Sequence, residues 1–122
     1  MTAKERLKSV AILDTKIENL GKERDKIQQA IEEEEDTRKL EEIKRRVSKT
    51  REQYIEERER IIADIHKLNN PTYIKLLYVR YIEGDTMENV AVKIHYSWRQ
   101  TNNLHSDALQ AFDRITNNIN IA

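Results

Sequence analysis

The sequence predicts an all-α protein, in which a long antiparallel helical hairpin, a coiled coil, precedes a small three-helix domain. Two observations support this class. The 122 residues include only 2 glycines and 1 proline, whereas sheet proteins use many such residues in their turns. Apolar residues also recur at steps of three and four over most of the chain, which is the spacing of amphipathic helices.

Residues 1–69 are expected to form the hairpin. A first heptad seam comprises Val10, Leu13, Ile17, Leu20, Ile27 and Ile31, and a second comprises Leu40, Ile43, Val47, Thr50, Tyr54, Ile61, Ile65 and Leu68. Between them lie four glutamates and an aspartate, residues 32–36, whose like charges weaken a helix at its negative end. We therefore expect arms over residues 4–32 and 38–68, with Asp36 or Thr37 capping the second arm. The alternative is one continuous helix, because neither Gly nor Pro enforces a turn.

Gly21 lies in the middle of the first arm and is expected to weaken it by about 1 kcal/mol relative to Ala. A two-helix hairpin is also expected to leave half of its seam exposed, which favours a homo-oligomer, most simply a dimer. The residues predicted to oligomerise are Val10, Leu13, Ile17, Leu20, Ile27, Ile31, Leu40, Ile43 and Val47.

Residues 70–115 are expected to form three short helices. Asn70-Pro71 begins the first helix, which uses Ile74, Leu77, Tyr78 and Tyr81 as its inner face, and Gly84 ends it. Asp85 or Thr86 caps a second helix, with an inner face of Met87, Val90, Ala91 and Ile94. A capping box of Ser97 and Gln100 begins the third, whose inner stripe is Thr101, Leu104, Ala108 and Phe112. Residues 116–122 are expected to form a frayed tail.

Residues 86–112 have the layout of a helix-turn-helix, in which helix 97–112 enters the major groove. Arg reads guanine and Asn reads adenine by paired hydrogen bonds, and the free N–H groups at a helix start bind phosphate. The outward positions are Trp98, Arg99, Asn102, Asn103 and Ser106. The residues predicted to contact DNA are Thr86, Lys93, Ser97, Trp98, Arg99, Gln100, Asn102 and Asn103. Trp98 has a second interpretation, as a cover that packs over the turn against Tyr96.

Three segments carry a resemblance to a known family: residues 65–84 (IHKLNNPTYIKLLYVRYIEG), 87–101 (MENVAVKIHYSWRQT) and 104–112 (LHSDALQAF). They are similar to small phage and prophage proteins that join a coiled coil to a helix-turn-helix like that of sigma-70 region 4. These proteins are related to late-gene transcription regulators of the ArpU/RinA type. The resemblance is strongest over residues 62–113 and covers the hairpin only loosely.

The resemblance implies a phage- or prophage-encoded transcription regulator that binds double-stranded DNA in the cytoplasm of a bacterial host. The sequence departs from the family pattern at two places. His95 stands where the family usually has Gly or Asn, which indicates a turn residue with positive φ. A basic residue that the family often carries near Asn102 and Asn103 is missing, which lowers the expected affinity for phosphate.

Composition and motifs limit the other classes. The 22 basic and 22 acidic residues give no net charge, so bulk electrostatics alone does not indicate nucleic-acid binding. The sequence has no cysteine, no long apolar run and no signal peptide, so neither disulfides nor a membrane partner is expected. We expect no enzyme, metal or cofactor, because no phosphate loop, nucleophile motif or metal-ligand spacing is present. Two other functions remain open: a phage packaging adaptor resembling a small terminase, and a sigma mimic that binds host RNA polymerase without reading DNA.

Overall fold

The protein is all-helical over residues 1–117, which are the residues that the computed structural model describes. The predicted fold class is therefore confirmed at the level of secondary structure. None of the described helices combines the length and the apolar character that crossing a bilayer requires. The helices are α1 (Ala3–Glu33), α2 (Arg38–His66), α3 (Pro71–Leu77), which continues into a π-helical turn (Tyr78–Ile82), α4 (Met87–Ile94) and α5 (Trp98–Asn117).

The chain divides into two compact units. One unit, here called the helical pair, is Ile12–Arg58. The other, here called the C-terminal unit, combines Met1–Ala11 with the chain from Glu59 onward. The sequence placed this boundary near residue 69, but the beginning of α1 and the end of α2 belong to the C-terminal unit. Four fully or almost fully buried side chains explain the difference, since they are part of the core of that unit: Leu7, Val10, Ile61 and Ile65.

In the helical pair, helical structure is interrupted over residues 34–37, so α1 and α2 are two helices rather than one. Polar contacts join the two segments. Lys44 Nζ donates to Gln28 Oε1 at 2.6 Å, and Arg58 Nε donates to Asp14 Oδ1 at 2.6 Å. The partners come in opposite order along the two helices, so the contacts follow an antiparallel order.

Gly21 has a packing role that the sequence did not reveal. The residue is buried, and a Cβ built on it would lie 3.2 Å from Arg51 Nε. That nitrogen donates to the carbonyl oxygen of Ile17 at 3.1 Å. The missing side chain therefore leaves space for a guanidinium group that reaches from α2 to the backbone of α1. This contact offsets part of the conformational weakness that glycine brings to a helix.

The seam residues predicted to oligomerise are largely covered within a single chain. Val10, Leu13 and Ile27 are buried, and none of the nine is exposed. The seam is therefore less exposed than expected, with six of the nine residues partly accessible. Seam residues of a two-stranded coiled coil are covered by the facing helix, and this degree of burial is consistent with such an arrangement.

In the C-terminal unit, α3, α4 and α5 pack against one another. The start of α3 is as predicted: Asn70 Oδ1 accepts hydrogen bonds from the backbone N–H groups of Thr72 at 2.9 Å and Tyr73 at 3.2 Å. Pro71 occupies the first helical position, where no N–H partner is needed. The apolar core of the three helices includes Leu76, Leu77, Val90, Ala108 and Phe112.

The π-helical turn after α3 was not predicted. Its backbone N–H group at Glu83 donates to the carbonyl oxygen of Tyr78 at 3.0 Å, which is an i to i+5 bond. Burial along this segment also differs from the predicted face. Leu76 and Val79 are buried, whereas Ile74 and Tyr78 of the predicted face are only half-buried. A pattern read at 3.6 residues per turn cannot anticipate a π-helical turn.

Helix α5 extends further than predicted. Thr116 and Asn117, expected in a frayed tail, belong to its last turn. The side-chain nitrogen of Asn117 donates to Asp113 Oδ1 at 2.6 Å, and the Thr116 hydroxyl donates to the carbonyl oxygen of Asp113 at 3.1 Å. Both bonds are local contacts within the last turns of α5. The rest of the predicted tail, residues 118–122, lies outside the described residues.

Replacing Leu7 tests the division into units. Leu7→Ala removes a fully buried side chain from the C-terminal unit, so we expect the free energy of unfolding to fall by about 2–5 kcal/mol. Urea unfolding measures the loss, and hydrogen exchange shows whether the amides of α5 lose protection. Lys8→Ala, at an exposed neighbouring position, should change stability by less than about 0.5 kcal/mol. Unchanged protection of α5 in Leu7→Ala would contradict the assignment.

Candidate nucleic-acid interface

The connection between α4 and α5 is a left-handed turn centred on His95. His95 has φ 65° and ψ 40°, and it is the one residue other than glycine with positive φ among those described. The N–H of Tyr96 donates to the carbonyl oxygen of Ala91 at 3.2 Å, and that of His95 to Val92 at 3.3 Å. This pair of bonds is a Schellman motif, which ends a helix sharply. The predicted positive φ of His95 is confirmed.

Both helices of this connection begin with a side-chain cap. Of the two candidates for α4, Thr86 is the cap, because its Oγ1 accepts from the N–H of Asn89 at 3.3 Å. At the start of α5, the N–H of Gln100 donates to Ser97 Oγ at 3.1 Å and the N–H of Ser97 donates to Gln100 Oε1 at 3.2 Å. The predicted capping box is thus confirmed, and it fixes where α5 begins.

The inner side of α5 is the one that the sequence predicted. Thr101, Ala108 and Phe112 are fully buried, while Leu104 is partly buried. The hydroxyl of Thr101 donates to the carbonyl oxygen of Ser97 at 2.8 Å, so the one polar side chain of this stripe is satisfied. Because this stripe is fixed by packing, the opposite side of α5 faces outward along its first turns. The outward positions named above, Trp98, Arg99, Asn102, Asn103 and Ser106, are all exposed.

Trp98 is not packed away over the turn. Its side chain is 52% exposed and that of Tyr96 is 42% exposed. The ring contacts found within residues 1–117 pair His66 with Tyr78 and Tyr81 with His105, and neither involves Trp98. Trp98 therefore presents its indole to solvent at the start of α5, and the interpretation of this residue as a cover packed against Tyr96 is not supported.

The positive charge of Lys93 is already balanced by two carboxylates of the same protein. Its Nζ lies 2.5 Å from Asp85 Oδ2 and 3.4 Å from Glu83 Oε2. The hydrogen bond to Asp85, followed by that to Glu83, raises the pKa of Lys93 above 10.5. The ammonium group is therefore charged but held by two carboxylates, which compete with any phosphate for it.

Several of the other predicted contacts are also engaged in internal hydrogen bonds. Asn102 donates through Nδ2 to the carbonyl oxygen of Trp98 at 2.9 Å. Thr86, Ser97 and Gln100 serve as caps, as described above. Within residues 1–117, Arg99 and Asn103 have no side-chain hydrogen bond or ion pair. Gln100 uses only its Oε1 in the capping box, so its side-chain nitrogen can still donate. Arg99 and Asn103 are thus the two members of the predicted set, apart from Trp98, whose side-chain polar groups are wholly unengaged among residues 1–117.

A partly buried polar pair that links α5 to the π-helical turn was missed by the sequence reasoning. The hydroxyl of Tyr81 lies 2.7 Å from His105 Nε2, and the two rings stack with centroids 5.8 Å apart. Burial lowers the pKa of His105 below 6.5, and the positive charges of Lys4 and Arg80 lower it further. Burial also raises the pKa of Tyr81 above 10.0. The pair is therefore neutral at pH 7, and no local signal in the sequence links two residues this far apart.

The described residues offer no metal site, because no three His, Asp or Glu side chains of residues 1–117 lie together in a suitable group. Comparison of the chain with models of protein families, with curated proteins and with solved structures found no match. The functional conclusion therefore depends on the residues themselves.

Substitution of His95 tests the turn. His95→Gly should leave the free energy of unfolding unchanged or raise it by up to about 1 kcal/mol, because glycine adopts positive φ without steric penalty. His95→Val should lower it clearly, because a β-branched side chain resists this region. Thermal unfolding of both variants gives the comparison. A valine variant as stable as the parent would mean that the turn lies elsewhere.

The buried state of His105 predicts a pH dependence of stability. Because the pKa of His105 is lowered on folding, the unfolded chain binds the proton more tightly than the folded chain. The free energy of unfolding should therefore fall as the pH drops below about 6.5, the ordinary pKa of histidine. Urea unfolding between pH 5 and pH 7.5 measures this, and His105→Gln should remove that part of the dependence. The carboxyl group of Asp64 does not interfere, because its pKa lies below 3.8.

Proposed function

We propose that this protein is a phage- or prophage-encoded transcription regulator that binds double-stranded DNA through α4 and α5. The observation that carries the proposal is the asymmetry of α5. Its inner stripe is fixed in a core, whereas its first two turns present Trp98, Arg99 and Asn103 to solvent shortly after a tight left-handed turn. A short capped helix, such a turn and a longer outward-facing helix make up the helix-turn-helix that docks in the major groove.

In this proposal, α1 and α2 form an antiparallel coiled-coil hairpin joined to the helix-turn-helix. The polar contacts between residues 14–28 and 44–58 support this arrangement. A homodimer is part of the proposal, because two recognition helices would then read two half-sites. Since the seam is largely covered within each chain, the dimer would use only what remains accessible of the hairpin surface.

One observation favours a second candidate function, the contact with host RNA polymerase. Tyr96, Trp98 and Arg99 follow closely in the chain and are all exposed. Tyr, Trp and Arg are the residue types that dominate binding energy at protein–protein interfaces. In this alternative the same surface would bind protein and would read no DNA sequence.

Selection from random double-stranded DNA distinguishes the two candidates. A DNA-reading regulator should enrich a defined sequence, and footprinting on phage DNA should then place that sequence near a promoter. The salt concentration is held constant, because phosphate contacts make every affinity salt-dependent. Recovery of DNA without any enriched sequence would contradict the proposal and favour the polymerase contact.

Arg99→Ala tests the readout on the selected site. Arg99 is exposed and has no ion-pair partner among residues 1–117, so it is available to bind guanine through two hydrogen bonds. Its loss should lower specific binding by about 1–3 kcal/mol and relax the preference at one base pair. A binding titration against the selected and a scrambled site measures both effects.

Two control variants accompany this titration. Arg114→Ala removes an exposed arginine from the other end of α5 and should leave the sequence preference intact. Lys93→Ala should weaken binding to all sequences alike, and only slightly, because Asp85 and Glu83 already hold the lysine. If Arg99→Ala binds both DNAs as the parent does, α5 does not read the groove through this residue.

A further inference from the structure

The surface around the turn between α4 and α5 is unusually apolar. Val92, Tyr96 and Trp98 are 73%, 42% and 52% exposed, and they fall within seven residues of the sequence. In the described part of the C-terminal unit, Met1 is the one other large apolar residue that is comparably exposed. Exposed apolar groups that cluster in this way indicate a contact surface rather than chance.

The polar groups of the same surface offer little to a ligand. Lys93 is held by two carboxylates, and Asn102 donates to the backbone of its own helix. Ser97 and Gln100 are engaged in the capping box. Arg99 and Asn103 therefore supply most of the available hydrogen-bonding groups, together with the side-chain nitrogen of Gln100. Much of the remaining contact that this surface can make is apolar.

The major groove contains one apolar group at the base edges, the C5 methyl group of thymine, and apolar side chains read it by contact. Trp98 directly precedes Arg99 in the first turn of α5, and Tyr96 comes two residues earlier. We propose that Trp98 contacts the methyl group of a thymine in the base pair next to the guanine that Arg99 binds. This inference rests on the proposed function, and it predicts that the binding site contains a guanine with a thymine beside it.

The observations favour a base methyl group over a protein partner as the occupant. Trp98 and Arg99 are neighbours in the first turn of α5, which is where the second helix of such a motif meets base edges, and Tyr96 lies just before that turn. The patch consists of three side chains, whereas a stable protein–protein interface involves roughly 20–30 residues on each side. By contrast, the indole ring of Trp98 alone is large enough to contact one methyl group.

The test replaces thymines of the selected site, one at a time, by deoxyuridine. This change removes only the methyl group and leaves base pairing and all hydrogen-bonding groups in place. At one or two positions the affinity of the unmodified protein should fall by about fourfold, which corresponds to the burial of one methyl group. Trp98→Ala should bind the thymine and uracil versions of the site equally.

Two further variants serve as controls. Val92→Ala changes an exposed apolar residue on α4 and should retain the fourfold dependence on the methyl group. Trp98→Phe keeps an aromatic ring and should retain part of it. Circular dichroism establishes that the variants are folded, and the deoxyuridine series on the unmodified protein requires no variant at all.

Each result is decisive. If the protein binds its selected site but no deoxyuridine replacement weakens it, the methyl contact is overturned and the proposed function stands. If Trp98→Ala keeps the methyl dependence, another side chain makes the contact and the assignment to Trp98 is overturned. If the protein binds no DNA with sequence preference, the proposed function and this inference fail together, and the exposed rings are then a surface for a protein.

Discussion

The core of the C-terminal unit depends on the position of one guanidinium group. Arg6 Nη1 of α1 lies 2.7 Å from Asp64 Oδ2 of α2, and the same group lies 5.5 Å from the centre of the Phe112 ring of α5. Burial alone would raise the pKa of Asp64, but hydrogen bonds from Lys67 and Arg6 hold it below 3.8. Three helices thus meet at a charge that stays fixed at every physiological pH. Loss of Asp64 would leave the guanidinium of Arg6 partly buried without its carboxylate, whereas loss of Arg6 would leave Asp64 with Lys67 at 3.0 Å as its remaining partner.

The features that could be predicted from the sequence are those determined within a few residues. Asn70 and Thr86 cap helices as expected, because a cap needs only the two or three N–H groups that follow it. The capping box at Ser97 and the left-handed His95 are of the same kind. Together they define α4, the turn and α5, so the residues on the outward side of α5 could be predicted from local chemistry. Which of those side chains already form hydrogen bonds within the protein could not.

The features that could not be predicted depend on partners far away in the sequence. The contact of Arg51 with the backbone of Ile17 explains why a glycine stands at position 21, but this becomes visible only when α1 and α2 are paired. The bond between Tyr81 and His105 joins two helical elements. The apolar pattern of each element indicates which residues face inward, but not which residue of the other element they meet. The boundary between the units was placed wrongly for the same reason, because a continuous heptad pattern gives no sign that its ends are buried in a different core.

The discontinuity of the C-terminal unit also has a consequence for how its stability arises. In a disordered chain, bringing Ala11 and Glu59 together requires closing a loop of about 47 residues, the length of the helical pair, at an entropic cost that grows with the logarithm of that length. Within the helical pair, Asp14 and Arg58 are joined by an ion pair of 2.6 Å, so folding of this segment already holds its two ends near each other. The helical pair therefore acts as a reversible intramolecular cross-link.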